Sequence, residues 1–162
     1  MKKSYKINEF VIHNRHGICK IVSIKQDSFS GEEKDFYVLN PIYGKENSLN
    51  ILISVDDPIN IEKLFNKKQV DKFLSEAKKI PNWWNENPLK RTQEFKDIFN
   101  SRDYARIAAI IRILNLRKEE KKKISETDKK ILENSKLLIY GIIASGVGIS
   151  FEESSEYLRK RV

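Results

Sequence analysis

The sequence predicts an α+β chain of two domains, a small antiparallel β-barrel followed by an all-α domain of about five helices. Three observations carry this reading. The hydrophobic period changes from two to about 3.6 beyond Pro58. The charge is one-sided: residues 1–66 carry nine Lys+Arg against nine Asp+Glu, and residues 67–162 carry 22 against 14. With 162 residues, 40% hydrophobic and 33% charged, the composition is globular and has room for one medium domain or two small ones. We place the boundary between residues 1–58 and residues 59–162.

The first domain is built from short β-branched and aromatic runs. Phe10 to His13, Ile18 to Ile24, Asp35 to Leu39 and Leu49 to Ile53 are each of strand length, and the second alternates between its two faces. Asn14-Arg15-His16-Gly17 supplies turn residues for a hairpin, and Ser28-Phe29-Ser30-Gly31-Glu32-Glu33 reads as a longer polar loop. Four or five strands in so short a stretch suit an SH3-like or Tudor-like barrel.

Helices follow. Val70, Phe73, Leu74 and Ala77 recur at i, i+3, i+4 and i+7, as do Ile107, Ile110, Ile111 and Leu114. The expected helices run over about 59–79, 89–100, 103–119, 126–146 and 150–161. Asp56 and Asp57 would cap the first, Ser101 or Asp103 the third, and Ser150 with Glu153 would form a capping box on the last. Gly146 or Gly148 would end the fourth. Between the first two helices, residues 80–88 hold three asparagines, two prolines and both tryptophans, which predicts an ordered loop.

Catalytic signals are absent from this pattern. No P-loop, dinucleotide fingerprint or HExxH occurs, and Gly146-Val147-Gly148 lacks the preceding strand that a phosphate loop requires. His13, His16 and Cys19 are spaced by three, but a structural zinc site wants four ligands and the chain has no other histidine or cysteine. We expect no enzyme, no metal and no cofactor. The apolar run Leu137 to Ile149 is too short and interrupted to span a bilayer, which takes roughly 18 residues. With one cysteine and no signal-like N-terminus, a cytoplasmic monomer is expected.

The basic half is the informative one, because lysine and arginine on phosphates release counterions and give sequence-independent affinity. Arg102, Arg106 and Arg117 fall near one stripe at about 100° per residue, with the apolar residues elsewhere. Lys90 and Arg91 open the preceding helix, and Lys121 to Lys123 lie in a turn. Trp83 and Trp84 are adjacent in a polar loop, so both cannot point inward, and an exposed indole would stack on a base or wedge into an opened step.

Tyr5 to Ile12, His16 to Ile21, Phe36 to Leu39 and Ile51 to Asp56, followed by Trp84-Asn85-Glu86-Asn87, Arg91, Phe95 to Ile98, Ser101-Arg102-Asp103, Ile110 to Leu114 and Ile124 to Asp128, together resemble the CarD/CdnL family of bacterial RNA polymerase-binding transcription regulators. The resemblance implies a Tudor-like domain that binds the polymerase β subunit. It also implies a helical domain that lies on promoter DNA at the upstream edge of the bubble, with a tryptophan wedged into the minor groove. Trp84 matches that tryptophan by its Asn85-Glu86-Asn87 context, with Trp83 as a substitute, and Lys90 and Arg91 match basic residues that follow it. Departures are Asn8-Glu9 where the family usually has Gly-Asp, and Arg102 where glycine is common. Asp27 and Leu52 also lie near positions where some members use arginine towards polymerase.

For the polymerase contact we expect a strand edge, either that of Ile51, Leu52 and Ile53 or that of Phe36 and Val38. The protein would then be nucleoid-associated through polymerase. The competing reading is a free-standing, sequence-tolerant DNA-binding protein of the nucleoid type. Salt separates the two, since only the second must bind duplex tightly by itself.

Overall fold

The computed structural model describes residues 4–28, 31–44 and 49–162. Phe29 and Ser30 of the expected polar loop lie outside the described residues. The chain divides into two compact units, Met1–Leu64 and Phe65–Val162.

The first unit is a five-stranded antiparallel sheet of β1 (Phe10–His13), β2 (Gly17–Asp27), β3 (Lys34–Pro41), β4 (Ile51–Ser54) and β5 (Ile61–Lys63), ordered β4-β3-β2-β1-β5. Its β1–β2 turn closes on Gly17, whose φ of +73° an L side chain resists, and on His13, whose Nδ1 accepts from Arg15 N at 3.1 Å and His16 N at 3.2 Å. A register shift between Ile21 and Ser23 leaves Val22 unpaired against β3, a bulge that increases twist. Val11, Cys19, Ile21, Tyr37, Leu39, Ile53 and Ile61 pack with Tyr5 into a core. Tyr37 also returns its hydroxyl to accept from Tyr5 N at 3.0 Å.

The expected first helix starts too early. Ile61–Lys63 pair with Val11 to His13 as β5, so residues 59–64 belong to the sheet unit rather than to the helices. Asp56 and Asp57 therefore cap nothing helical. The helix α1 (Lys67–Lys79) starts on Asn66, which forms a reciprocal box with Gln69 at 2.9 Å each way.

The remaining helices are α2 (Pro88–Asn100), α3 (Tyr104–Glu119), α4 (Glu126–Val147) and α5 (Glu153–Arg161). Asp103 caps α3, and Gly148 at φ +83° ends α4. Ser150 Oγ accepts from Glu153 N at 3.0 Å, but the N-cap residue of α5 is Glu152, so the expected box forms only in half. Helices α3 and α4 pack against each other, and Ile107, Ile110, Ile111 and Leu114 of the first and Leu138, Ile139 and Ile142 of the second are all buried. Gly146 lets α1 and α4 approach: a Cβ there would lie 2.6 Å from Val70 Cγ2 and 2.9 Å from the Phe65 carbonyl oxygen.

Asn8 and Arg102, the two positions where the resemblance leads one to expect glycine, both fall on left-handed backbone. Asn8 has φ +75° and Arg102 has φ +56°. Asparagine tolerates that region, while arginine does so at a cost. Arg102 follows the C-cap Ser101 of α2, where its N–H bonds Phe99 O at 3.1 Å and glycine is the usual occupant. Arg102→Gly is expected to stabilise the helical unit by up to about 1 kcal/mol, read as a higher urea midpoint at unchanged slope. An unchanged or lower midpoint would mean that the backbone strain at Arg102 is compensated locally.

Candidate nucleic-acid interface

The loop between α1 and α2, residues 80–87, carries both tryptophans, and three arginine side chains set its shape. At its start, Arg112 of α3 donates from Nε to Asn82 Oδ1 at 2.9 Å, from Nη1 to Ala77 O at 2.9 Å, and from Nη2 to Ile80 O. One guanidinium thus ties the end of α1 and the loop's first turn to α3. At its end, Asn85 Oδ1 accepts from Asn87 N at 3.0 Å, and Asn87 Oδ1 accepts from Leu89 N and Lys90 N to cap α2. Asn85 Nδ2 also donates to Glu94 at 2.6 Å.

Arg91 lies at the centre. It is 5% exposed, and its Nε and Nη2 grip both oxygens of the fully buried Asp128 at 3.0 and 2.9 Å. Its Nη1 donates to the Asn85 carbonyl at 2.9 Å, and its guanidinium carbon lies 4.2 Å from the Trp84 ring centroid. Asp128 is itself fixed, being the third residue of a reciprocal capping box with Ser125 at the start of α4. Burial pushes the Asp128 carboxyl up, but the bonds from Arg91 and Ser125 outweigh it and hold the group below the usual carboxylate range. This is a buried bidentate ion pair, whose worth lies in fixing geometry more than in net stability.

A second cation covers Trp84. The Arg117 guanidinium carbon lies 3.6 Å from its ring centroid, Nη2 donates to Lys123 O at 3.3 Å, and Nε is buried without an acceptor. Stacking of this kind stabilises indole and guanidinium together. Trp83 diverges from its neighbour: it meets Phe95 edge-on, with centroids 6.4 Å apart, and lines a separate hollow with Arg106. Both indoles are half-buried, so neither is the fully exposed ring that the polar loop suggests.

The expected arginine stripe is only partly realised. Arg102 precedes α3 and lies outside its helical register, whereas Arg106 and Arg117 share a face about 16 Å apart along the axis. Arg106 is exposed and pairs loosely with Asp103 at 3.4 Å. Lys90 is exposed at the start of α2. Arg91 does not present a free cation to a phosphate, because Asp128 and Asn85 engage it inside the unit. Asp128, Asn85 and Arg112, which fix the loop, enter the sequence reading only inside the segments that carry the resemblance and are not among the site residues it selects.

In the sheet unit, β3 is paired on both sides and β4 is an edge. Phe36 and Val38 therefore offer side chains but no free backbone, while Ile51, Leu52 and Ile53 lie on the strand that is the sheet's edge among the described residues. Val55 N donates to Asp35 O at 3.0 Å, so the two-residue alternation of an antiparallel ladder turns the Leu52 N–H and C=O outward from β3. Cys19 is buried, which pushes its thiol up to about 12. Among the described residues no group of three or more His, Cys, Asp or Glu is placed to hold a metal, and no helix is long and apolar enough to cross a membrane.

Asp128→Asn leaves Arg91 buried and unbalanced, so a loss of about 3–5 kcal/mol in the helical unit is expected on urea unfolding. The depressed carboxyl adds a pH signature. Its stabilisation is complete above the ordinary carboxylate range and is lost as pH falls through the lowered folded value, so the variant's acid unfolding limb should be flatter than the parent's. A variant with parental stability and an unchanged acid limb would contradict the role given to the pair.

Residues 5–64 match the family model described as CarD-like/TRCF RID domain, the polymerase-interacting domain, which covers the sheet unit and none of the helices. No curated protein matches the chain.

Proposed function

We propose that this chain, which carries a CarD-like/TRCF RID domain over residues 5–64, is a transcription regulator that binds the RNA polymerase β subunit through its sheet unit and stabilises the open promoter complex through its helical unit. The observation that carries the reading is the coincidence of that polymerase-interacting domain with a neutral unit, followed by a unit holding the whole net charge of +8 and a braced indole. The match supports a transcription-associated role and a protein-interaction domain rather than a catalytic one.

In this reading the sheet curls into a Tudor-like barrel, and the β4 edge adds to a strand of the β subunit. Polymerase then supplies effective concentration, so weak phosphate contacts from Lys90, Arg106 and the lysines near Lys121 suffice. Trp84, braced by Arg91 and Arg117, enters the minor groove at the upstream edge of the bubble. Each 1.4 kcal/mol by which the indole favours melted over closed DNA shifts that equilibrium about tenfold. No bond is made or broken.

The sequence-tolerant nucleoid-type reading predicts a different partition. On the tethered reading, the full chain captures bacterial RNA polymerase and binds isolated duplex weakly. Leu52→Pro, which deletes an outward N–H and leaves the β3 ladder in place, should abolish capture while the unfolding midpoint stays near the parent's. Tight, steeply salt-dependent duplex binding without polymerase, indifferent to Leu52→Pro, would favour the free-standing protein.

A further inference from the structure

Trp83 is not the indole that Arg91 and Arg117 brace, and it walls a hollow of about 650 Å³ between the loop, α2 and the start of α3. Pro81, Trp83 and Ile98 give it apolar and aromatic faces, Glu94 and Asp97 give it carboxylates, and Arg106 gives it a cation. The volume is ample for a base with its sugar and phosphate. We propose that this hollow receives one unpaired nucleotide of the melted strand, with its base against the Trp83 indole, its exocyclic amine to the carboxylates and its phosphate towards Arg106.

The chemistry fits each part. Every base has a π-face, so an indole wall accepts any of them without hydrogen bonds. Carboxylates select among them, because they accept from the amino groups of cytosine, adenine and guanine and find on thymine only a single ring N–H. Glu94 uses Oε1 for Asn85, and Asp97 uses Oδ1 for Gln93 at 2.9 Å, which leaves each carboxylate a second oxygen. Arg106 is exposed, and its pair with Asp103 at 3.4 Å is of the solvated kind that contributes little, so a phosphate can replace it. Carboxylates in a unit of net charge +8 would repel a DNA backbone but suit a base edge, and the arginine in the same hollow disfavours a basic peptide as occupant. The adjacent tryptophans then divide the work: Trp84, covered by two guanidiniums, separates the strands, and Trp83, open to its hollow, holds a base that leaves the stack.

This inference rests on the proposed function, since promoter melting is the source of unpaired nucleotides, but its test needs neither polymerase nor promoter. The indole N–H signals of the full ¹⁵N-labelled chain, assigned with Trp83→Phe and Trp84→Phe, would be followed while deoxycytidine, deoxyadenosine and thymidine monophosphates, inorganic phosphate and oligolysine are added at millimolar concentration. The expected result is a saturable shift of the Trp83 signal alone, with the cytidine and adenosine nucleotides bound about fivefold or more tightly than the thymidine nucleotide. Asp97→Asn, at an exposed position on α2, should erase that preference while leaving the fold intact. A silent Trp83 signal, an equal response to inorganic phosphate, or a response to oligolysine in place of nucleotides would overturn the proposal. Nucleotide binding at Trp83 in a protein without effect on open complexes would retain the hollow and remove the wedge; the reverse pattern would do the opposite.

Discussion

The bidentate pair between Arg91 and Asp128 is the constraint on which the shape of the helical unit's tryptophan loop depends. An arginine beside an indole on a solvent-facing loop would sample many rotamers. Here its position is decided from inside, by a carboxylate with no exposed surface at the cap of another helix. Placing two charges there is expensive, and a hydrophobic pair would serve stability as well or better. What the ion pair supplies is direction: one guanidinium reaches a carboxylate, the Asn85 carbonyl and the Trp84 ring together, so α4, the loop and the indole are tied to one group. Arg112 does the same at the other end of the loop. A wedge must resist the strands it separates, and an indole fixed at both ends loses little conformational freedom on contact.

Charge is divided between the two units as their proposed tasks require. The sheet unit, with zero net charge, suits specific protein contact along a strand edge. The helical unit carries all of the excess, yet several of its cations are occupied internally. Arg91, Arg112 and Arg117 each bond backbone or aromatic groups, which leaves other cations, Arg102, Arg106 and lysines such as Lys90 among them, to face a polyanion. Weak, exchangeable attraction of this sort matches a protein delivered to DNA by a partner rather than one that searches for DNA alone.

Much of the fold was legible because it is locally encoded. The strands from Phe10 to Ile53 and four of the five helices follow periodicity, and Asp103 and Gly148 serve as the cap and stop that their residue types suggest. The strand Ile61–Lys63 was not legible: three residues fit either period, and only pairing with β1 decides between them. Arg102 broke the expected stripe because its backbone is left-handed, which composition does not reveal. The deepest miss concerns Arg91. A helical stripe says which side a cation faces but not whether a buried carboxylate waits there, and Asp128 lies far along the chain from it. Sequence reasoning preferred Trp84 to Trp83 only through the resemblance of its Asn85-Glu86-Asn87 context; their surroundings, Arg91 and Arg117 at one ring and the hollow with Arg106 at the other, are set by residues distant in the chain.

The most direct test of the central claim is the lifetime of open promoter complexes formed by bacterial RNA polymerase, measured with a DNA competitor in the presence of the parent protein or Trp84→Ala. The account predicts that the parent lengthens that lifetime and that the variant, still captured by polymerase, loses most of the effect. A Trp84→Ala protein that prolongs the open complex as well as the parent would contradict the wedge and, with it, the role given to the arginines that brace it.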